Sequence, residues 1–280
     1  MSDPAGGEPG GLSGTATLPT GTARPGTGRL VGAFLLDIVL ASLVLVVASL
    51  AAGLAWGAWR VVEVVRENGG QVPAAAALTA AIGEPGALAQ MLMAAFGMSA
   101  AALVLYFLRR PATRDERDRS RAAAKRRSTW GLSVLTGVLV FAGSALTGYL
   151  MQLAGSDPVP TNLALVEEAA RQWPVVLVLF AVVFAPAYEE LLFRRVLFGR
   201  FLAAGRPWLG IVLASVAFAL VHEVPGLSAN PPLAVVQLWL VYGGMGAAFA
   251  WLYWRTGTLW APVLAHASNN ALALMIHGLS

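Results

Sequence analysis

Residues 30–59 read LVGAFLLDIVLASLVLVVASLAAGLAWGAW and contain a single charged side chain, that of Asp37. A helix needs about 20 apolar residues to cross the ~30 Å hydrocarbon layer of a bilayer, so this run is long enough to span a membrane. The apolar core of a secretory signal peptide is only about 7–15 residues long, which favours a retained helix over a cleaved signal. This stretch therefore predicts a membrane-embedded helical fold.

The composition of the whole chain agrees with lipid as its main solvent. Hydrophobic residues make up 57% of the 280 positions and charged residues 12%, and the mean hydropathy is +0.67. A soluble domain is usually about 25% charged, so this chain lacks the polar side chains to cover a water-facing surface. The absence of cysteine excludes disulfides and thiolate nucleophiles. We expect one membrane-embedded domain over residues 30–280.

Further apolar runs follow the first, and most of them approach the length of a membrane span. Together they predict an all-α, polytopic transmembrane helix bundle of about seven spans, within a range of six to eight. The fifth run is short for a span, and the stretch 73–82 is too short, so we expect that stretch outside the membrane or on its surface. The later runs are 86–108, 130–153, a fourth that begins near 172, 208–222, 233–253 and 259–276.

Charge and composition outside these runs predict the orientation of the chain. Residues 1–29 are rich in Gly, Pro, Ser and Thr, which predicts a disordered N-terminal tail. The loop 109–127 holds nine basic and three acidic side chains, and an excess of basic residues is typical of cytoplasmic loops. This loop and the N-terminal tail are therefore predicted to be cytoplasmic, with 154–171 outside. A lipid-headgroup or nucleic-acid patch is the alternative interpretation of the loop. The dominance of arginine, alanine and glycine favours a bacterial plasma membrane.

The end of the fourth run carries adjacent carboxylates in the sequence APAYEELLFRR, residues 185–195. Pro186 is expected to kink or break the helix, because it has no N–H to donate to the preceding turn. Glu189 and Glu190 follow directly. Glu190 and Arg194 are four residues apart, so they share a helix face and can pair. A structural ion pair at the membrane boundary is the alternative to a functional role.

A turn after this helix brings a histidine to the same depth. The turn is expected at 205–207, which read Gly-Arg-Pro. Glu189 and His222 lie equally far from it along the chain, at about 25 Å for a rise of 1.5 Å per residue. If the two flanking helices are antiparallel, Glu189 and His222 face each other.

The seventh run contributes His266 and Asn270, which are four residues apart on one helix face. Hydrogen bonding between helices is the alternative role for such residues. Ionisable residues within a membrane, however, usually face a cavity or the bundle interior and mark functional sites. A carboxylate beside a neutral imidazole can activate water, and a second histidine with an amide can stabilise an oxyanion. This equipment suits hydrolysis of an acyl bond such as a peptide. Glu189, His222 and His266 are also residue types that bind zinc.

Other intramembrane hydrolase designs do not match the sequence. His222-Glu223 is not followed by a histidine at position 226, which is glycine, so the H-E-x-x-H zinc motif is absent. No G-x-S-x-G nucleophile turn is present. Asp37 is the one aspartate within an apolar run, so there is no aspartyl dyad. Its own role is left open between helix packing and function.

Three short motifs resemble those of the CPBP family of intramembrane metalloproteases, which includes type II CAAX prenyl endopeptidases and Abi-like bacteriocin-processing or self-immunity proteins. Each motif is weak alone, but all three occur in order on the expected helices. The stretch 253–262 is also similar to the family's approach to its third motif, and the family-like core covers 172–270. The motifs are E-E-x-x-x-R at Glu189, Glu190 and Arg194, F-x-x-x-H at Phe218 and His222, and H-x-x-x-N at His266 and Asn270.

The resemblance implies a glutamate protease that is either metal-independent or zinc-assisted. It implies that Glu189 acts as the general base on water with help from His222. It further implies an oxyanion site at His266 and Asn270, while Glu190 and Arg194 organise the site. The sequence departs from the family at Arg195, where glycine is frequent, which affects packing or access.

We therefore expect an intramembrane endopeptidase acting on a membrane-associated or lipidated, for example prenylated, peptide substrate. The expected partners are membrane lipid and this substrate, without nucleic acid. No cofactor is required by this interpretation, although zinc remains open. A non-catalytic self-immunity or scaffold protein of the same fold is the alternative. A proton-coupled transporter would call for inverted repeats or paired broken helices, and the sequence shows neither.

Overall fold

The structure is a computed structural model that describes residues 25–278. Within this range every regular element is helical and no strand occurs, which confirms the all-α prediction. Residues 1–24 of the predicted disordered tail lie outside the described residues. The predicted boundary of the tail at residue 29 is slightly too late, because the first helix already begins at Thr27. Arg206 donates a hydrogen bond to the Thr27 hydroxyl there and ties this first turn to the rest of the chain.

Ten helices follow one another in the described residues. All seven predicted apolar runs are helical, and they correspond to α1, α3, α5, α7, α8, α9 and α10. The helices are α1 (Thr27–Glu67), α2 (Ala75–Ile82), α3 (Ala87–Arg109), α4 (Arg114–Ala124), α5 (Arg127–Leu153), α6 (Leu163–Gln172), α7 (Pro174–Ala203), α8 (Pro207–His222), α9 (Pro232–Thr256) and α10 (Trp260–Ala273, continued as a π-helix over Leu274–Gly278).

Five of these helices, α1, α3, α5, α7 and α9, are long and apolar enough to cross a membrane. Helix α8 has 16 residues and is shorter than a full span. The number of seven spans therefore stays a prediction for α8 and α10. Helix α2 has eight residues, which is too few to cross a membrane, and the location of 73–82 outside the membrane or on its surface stays a prediction.

Two glycines allow the helices around the polar residues to approach closely. A Cβ on Gly137 of α5 would lie 2.5 Å from the carbonyl oxygen of Ala265 on α10. A Cβ on Gly210 of α8 would lie 2.5 Å from the Cβ of Phe201 on α7. Any larger side chain would push these helices apart. The first contact therefore packs α5 closely against α10, and the second packs α8 closely against α7.

Asp37 joins three helices and has a structural role. Its carboxylate is fully buried. Arg109, at the end of α3, donates to its Oδ1 at 2.7 Å, and Arg200 of α7 donates to its other oxygen. A charge buried in an apolar bundle is tolerated when it is paired in this way. Of the two roles left open by the sequence, the contacts support helix packing.

Candidate active site

Helix α7 changes its winding around Pro186 instead of ending there. Two π-helical segments, Phe180–Phe184 and Leu191–Phe198, flank a short α-helical segment, Ala185–Glu190. Of the kink or break predicted at Pro186, the break does not occur, because the helix continues through wider π turns on either side of the proline. The carbonyl of Ala181, five residues before Pro186, accepts instead from the Asn270 side-chain amide at 2.8 Å. This bond ties α10 to α7 beside the two glutamates.

Glu189 lies between the two histidines. Its Oε2 is 3.6 Å from Nε2 of His222 and 3.9 Å from Nε2 of His266. The same oxygen is buried and has no hydrogen-bond partner among the described residues. The facing of Glu189 and His222 was predicted from their equal distances to the turn. That turn is observed with Gly205 in the left-handed region (φ 72°), between the end of α7 and the start of α8.

Glu190 points away from this oxygen and pairs with two other groups. Its Oε2 is 2.8 Å from Nε of Arg194, and both side chains are fully buried. Its Oε1 is 2.9 Å from Nδ1 of His266. The predicted pair of Glu190 and Arg194 is confirmed, and the pair extends to His266. Adjacent glutamates therefore have different surroundings: Glu189 faces two imidazoles, while Glu190 neutralises a buried guanidinium.

The hydrogen bonds at the Nδ1 atoms orient both histidine rings. Nδ1 of His222 is 2.8 Å from the carbonyl oxygen of Phe218, which can only accept, so this nitrogen carries a proton. Nδ1 of His266 donates in the same way to the Glu190 carboxylate. Neutral imidazoles bonded like this direct the Nε2 lone pair towards Glu189. Three acceptor atoms, Oε2 of Glu189 and the Nε2 atoms of His222 and His266, then face one another. A proton or a hydrogen-bond donor is needed between them.

Aromatic rings enclose the two histidines and Arg194. Phe218 lies 4.2 Å from the His222 ring, and the Arg194 guanidinium lies 4.8 Å from the Phe218 ring centroid. Tyr242 of α9 packs at 4.6 Å on His222. Such packing restricts the rings and lowers the polarity of their surroundings, which strengthens electrostatic interactions there. Phe218 belongs to the second motif, whereas the sequence reasoning missed the contribution of α9.

Two aromatic residues of α9, about two turns apart on one face of the helix, reach the site. Phe249 stacks on His266 at 5.0 Å between ring centroids, and Tyr242 lies seven residues earlier. A spacing of seven brings residues to the same side of a helix. This seven-residue spacing was the sequence signal that could have indicated the contribution of α9. It is not specific, since most apolar helices contain aromatic residues at such intervals.

The loop after His222 is held by a buried carboxylate, that of Glu223. Thr161 donates to one carboxylate oxygen at 2.8 Å and Asn230 to the other at 3.1 Å. Burial raises the pKa of Glu223, but hydrogen bonds from Ser228, Thr161 and Asn230 outweigh it, so the pKa is lower than usual. The backbone carbonyl of Glu223 accepts from the indole of Trp239. These bonds fix the end of α8 at which His222 lies.

The donor set is chemically suited to zinc, but the observed spacing is wider than a zinc site requires. Two ligands bound at about 2.0–2.1 Å in a tetrahedral zinc site lie about 3.3–3.4 Å apart. The corresponding distances from Glu189 to His222 and His266 are 3.6 and 3.9 Å. Within residues 25–278 no group of three or more histidine, aspartate or glutamate side chains is arranged to hold a metal ion.

Comparisons with known proteins agree with the motifs. Residues 171–272 match the family model described as type II CAAX prenyl endopeptidase Rce1-like. A curated relative from Bacillus subtilis (strain 168), named "Putative membrane peptidase YdiL", is 26% identical over 154 residues. That alignment covers 52% of this chain and 57% of the relative, so the chain spans little more than half the length of the curated relative it matches. No solved structure matches.

These matches, with several helices apolar enough to cross a membrane, indicate an integral membrane protein and support a protease kind of function. The matched region contains every residue of the three motifs, from Glu189 on α7 to Asn270 on α10. The resemblance to the CPBP intramembrane proteases is thereby confirmed over residues 171–272, the part of this chain that matches the Rce1-like family model.

Proposed function

We propose that this protein is an intramembrane endopeptidase that hydrolyses a peptide bond with water activated by Glu189 and His222. The observation that carries the proposal is the position of Glu189 Oε2. It is buried, has no hydrogen-bond partner among the described residues and faces the Nε2 atoms of His222 and His266. A carboxylate and an imidazole that converge on one point can hold a water molecule and remove its proton.

The charges of the buried groups support one extra proton in this site. Glu189 and Glu190 bring two negative charges and Arg194 one positive charge, which leaves one negative charge when both histidines are neutral. A buried cluster is more stable when its charges balance. Since Nδ1 of His266 donates to Glu190, a proton on its Nε2 would give an imidazolium held by that carboxylate. His266 is therefore the better donor to an oxyanion, and His222 the better acceptor.

The proposed reaction follows from these roles. Glu189 removes a proton from water while the water oxygen attacks the peptide carbonyl carbon. The negative charge on the carbonyl oxygen is stabilised by the Nε2–H of His266. The carbon–nitrogen bond then breaks, and the leaving amine takes the proton that Glu189 had received. The new carboxyl group keeps the water oxygen.

For Asn270 we propose a positioning role. The sequence predicted that it would donate to the oxyanion. Its amide instead donates to the carbonyl of Ala181, while its oxygen accepts from Asn269. These bonds support the turn of α7 that precedes Glu189, so Asn270 acts on the reaction through the geometry of that turn.

The proposed substrate is a membrane-associated or lipidated peptide. The reacting groups lie on helices packed within an apolar bundle, which a substrate reaches most readily from the membrane. The match to the type II CAAX prenyl endopeptidase family supports a prenylated peptide as one such substrate. The arginine-rich segment 109–127 supports an orientation with the N-terminus in the cytoplasm.

The proposal is tested by comparing cells that express the wild-type protein, Glu189→Gln or Glu67→Gln. Glu67 is exposed at the end of α1, so its variant loses the same charge far from the site. New protein N-termini in the membrane fraction are labelled and identified by mass spectrometry. We expect fragments in wild-type and Glu67→Gln cells that are absent with Glu189→Gln. Identical fragments in all three would contradict the proposal and favour the scaffold or self-immunity alternative.

A further inference from the structure

A cavity with several basic side chains in its lining lies apart from the candidate active site. Its volume is about 680 Å³, and it lies between α4 and parts of α3, α7, α9 and α10. Neither Glu189 nor the two histidines line it. The charged side chains of its lining are those of Arg110, Arg117, Arg119, Arg121 and Arg195, against the single carboxylate of Glu116. The cavity therefore has an excess of positive charge.

Arg110 and Arg195 each have a buried N–H donor without a hydrogen-bond partner among the described residues. Arg195 is 8% exposed, and Glu116 accepts from both of its terminal nitrogens, but its Nε has no partner. One terminal nitrogen of Arg110 donates a hydrogen bond to the carbonyl of Gly199, while the buried Nε of Arg110 also has no hydrogen-bond partner among the described residues. A buried N–H without an acceptor costs free energy. Burial, followed by the charge of Arg195, lowers the pKa of Arg110.

Glu116 shows how an anion binds in this place. Its carboxylate, on α4, accepts two hydrogen bonds from the guanidinium of Arg195 on α7, at 2.7 and 3.1 Å. Helix α4, which presents Glu116, begins with a capping box formed by Thr113 and Glu116. A second anion would use the free Nε atoms of Arg110 and Arg195. Guanidinium groups match the oxygens of phosphate particularly well.

Tryptophans place the cavity at the depth of lipid headgroups. Trp260 lines the cavity and is 60% exposed. Trp208 and Trp254, at the adjoining ends of α8 and α9, pack edge to face at 5.3 Å. Exposed tryptophans of membrane proteins concentrate at the interface between hydrocarbon and water. Phosphate groups of lipids are the most concentrated anions at this depth, and basic pockets between helices bind such headgroups.

We propose that this cavity binds a phosphate group through Arg110 and Arg195, with an anionic phospholipid headgroup as its source in the membrane. Neither Arg110 nor Arg195 belongs to the three motifs, so the site is separate from the catalytic motifs. The proposal is independent of the proposed protease function, because it uses none of the groups assigned to peptide hydrolysis.

The test measures lipid retention by the purified full-length protein in detergent, using native mass spectrometry. Phosphatidylglycerol and phosphatidylcholine are added separately, and inorganic phosphate is added in a third arm. Arg195→Gln and Arg110→Gln are compared with Arg255→Gln, which removes an exposed arginine outside the cavity. We expect phosphatidylglycerol to be retained over phosphatidylcholine. Loss of a charged donor should weaken its binding roughly tenfold in Arg195→Gln and Arg110→Gln, with little change in Arg255→Gln.

Glu116→Gln gives a result in the opposite direction. Glutamine keeps the capping box but removes the negative charge that competes for Arg195, so phosphatidylglycerol should bind more tightly. This variant keeps the test informative if Arg195→Gln does not fold. If inorganic phosphate binds in an Arg195-dependent manner without a preference for phosphatidylglycerol, the phosphate site stands and its source is soluble. Equal retention of both lipids without phosphate binding, or equal losses in Arg195→Gln and Arg255→Gln, would overturn the proposal.

Discussion

Substitution by glutamine should lower the thermal stability of the protein at Glu190 but hardly change it at the neighbouring Glu189. Glu190→Gln removes the charge that faces Arg194, and both side chains are fully buried. Removing one partner of a buried ion pair costs about 3–5 kcal/mol, because the other charge is left uncompensated. Glutamine still offers an oxygen to Nδ1 of His266, so the decrease in the free energy of unfolding comes from removal of the negative charge. For a protein of this size each kcal/mol shifts Tm by about 2–4 °C, which gives a decrease on the order of 10 °C.

The assay is thermal unfolding of the purified protein in detergent, followed by the fluorescence of its nine tryptophans. Glu189→Gln should leave Tm within about 3 °C of the wild type, since the ion-pair contacts of Glu189 among the described residues are only those to the two histidines, at 3.6 and 3.9 Å. The double variant Glu190→Gln/Arg194→Met removes the unpaired charge and should recover most of the lost stability. A Glu190→Gln protein as stable as Glu189→Gln, or a double variant no better than Glu190→Gln, would refute the assignment of Glu190 to structure.

Three further outcomes are expected. Asn270→Ala should lower stability by about 1–3 kcal/mol and reduce cleavage, and Pro186→Ala should restore both by supplying a backbone N–H. A rescue of stability without cleavage would instead assign Asn270 to the oxyanion. The hydrogen bond from Arg195 lowers the pKa of Glu116 to about 2, so hydrogen-exchange protection of α4 should persist above about pH 4.5 and fall towards pH 2. Loss of this protection already at pH 6 would contradict the pairing. Glu223→Gln should raise KM or lower kcat by loosening the loop after α8, with wild-type values as the contradicting result.

The sequence predicted the parts of the site that depend on spacing along a single helix or across one turn. Glu190 and Arg194 are four residues apart, and the facing of Glu189 and His222 follows from the turn at 205–207. The pair depends on the periodicity of one helix. The facing of Glu189 and His222 depends on the constant rise of a helix and on the Gly-Arg-Pro turn. The family motifs then brought His266 into the same site, which no local spacing could have done.

The parts that the sequence did not predict depend on contacts between distant helices. The π-helical winding around Pro186 follows from how α7 packs, and its consequence for Asn270 depends on the rotation of α10. The pairing of Asp37 with Arg109 and Arg200 joins three helices that are far apart in the chain. Their charges are visible in the sequence, but which arginine meets which carboxylate is set by tertiary packing.

The central claim, that Glu189 activates water for peptide hydrolysis, is tested most directly with the purified protein in lipid vesicles. Wild type, Glu189→Gln and Glu67→Gln are each mixed with solubilised membrane proteins, and newly formed N-termini are counted by mass spectrometry. We predict new N-termini with wild type and Glu67→Gln and at least about a hundredfold fewer with Glu189→Gln, since general base catalysis contributes about 10²–10⁴-fold. Undiminished cleavage by a folded Glu189→Gln protein would contradict the account.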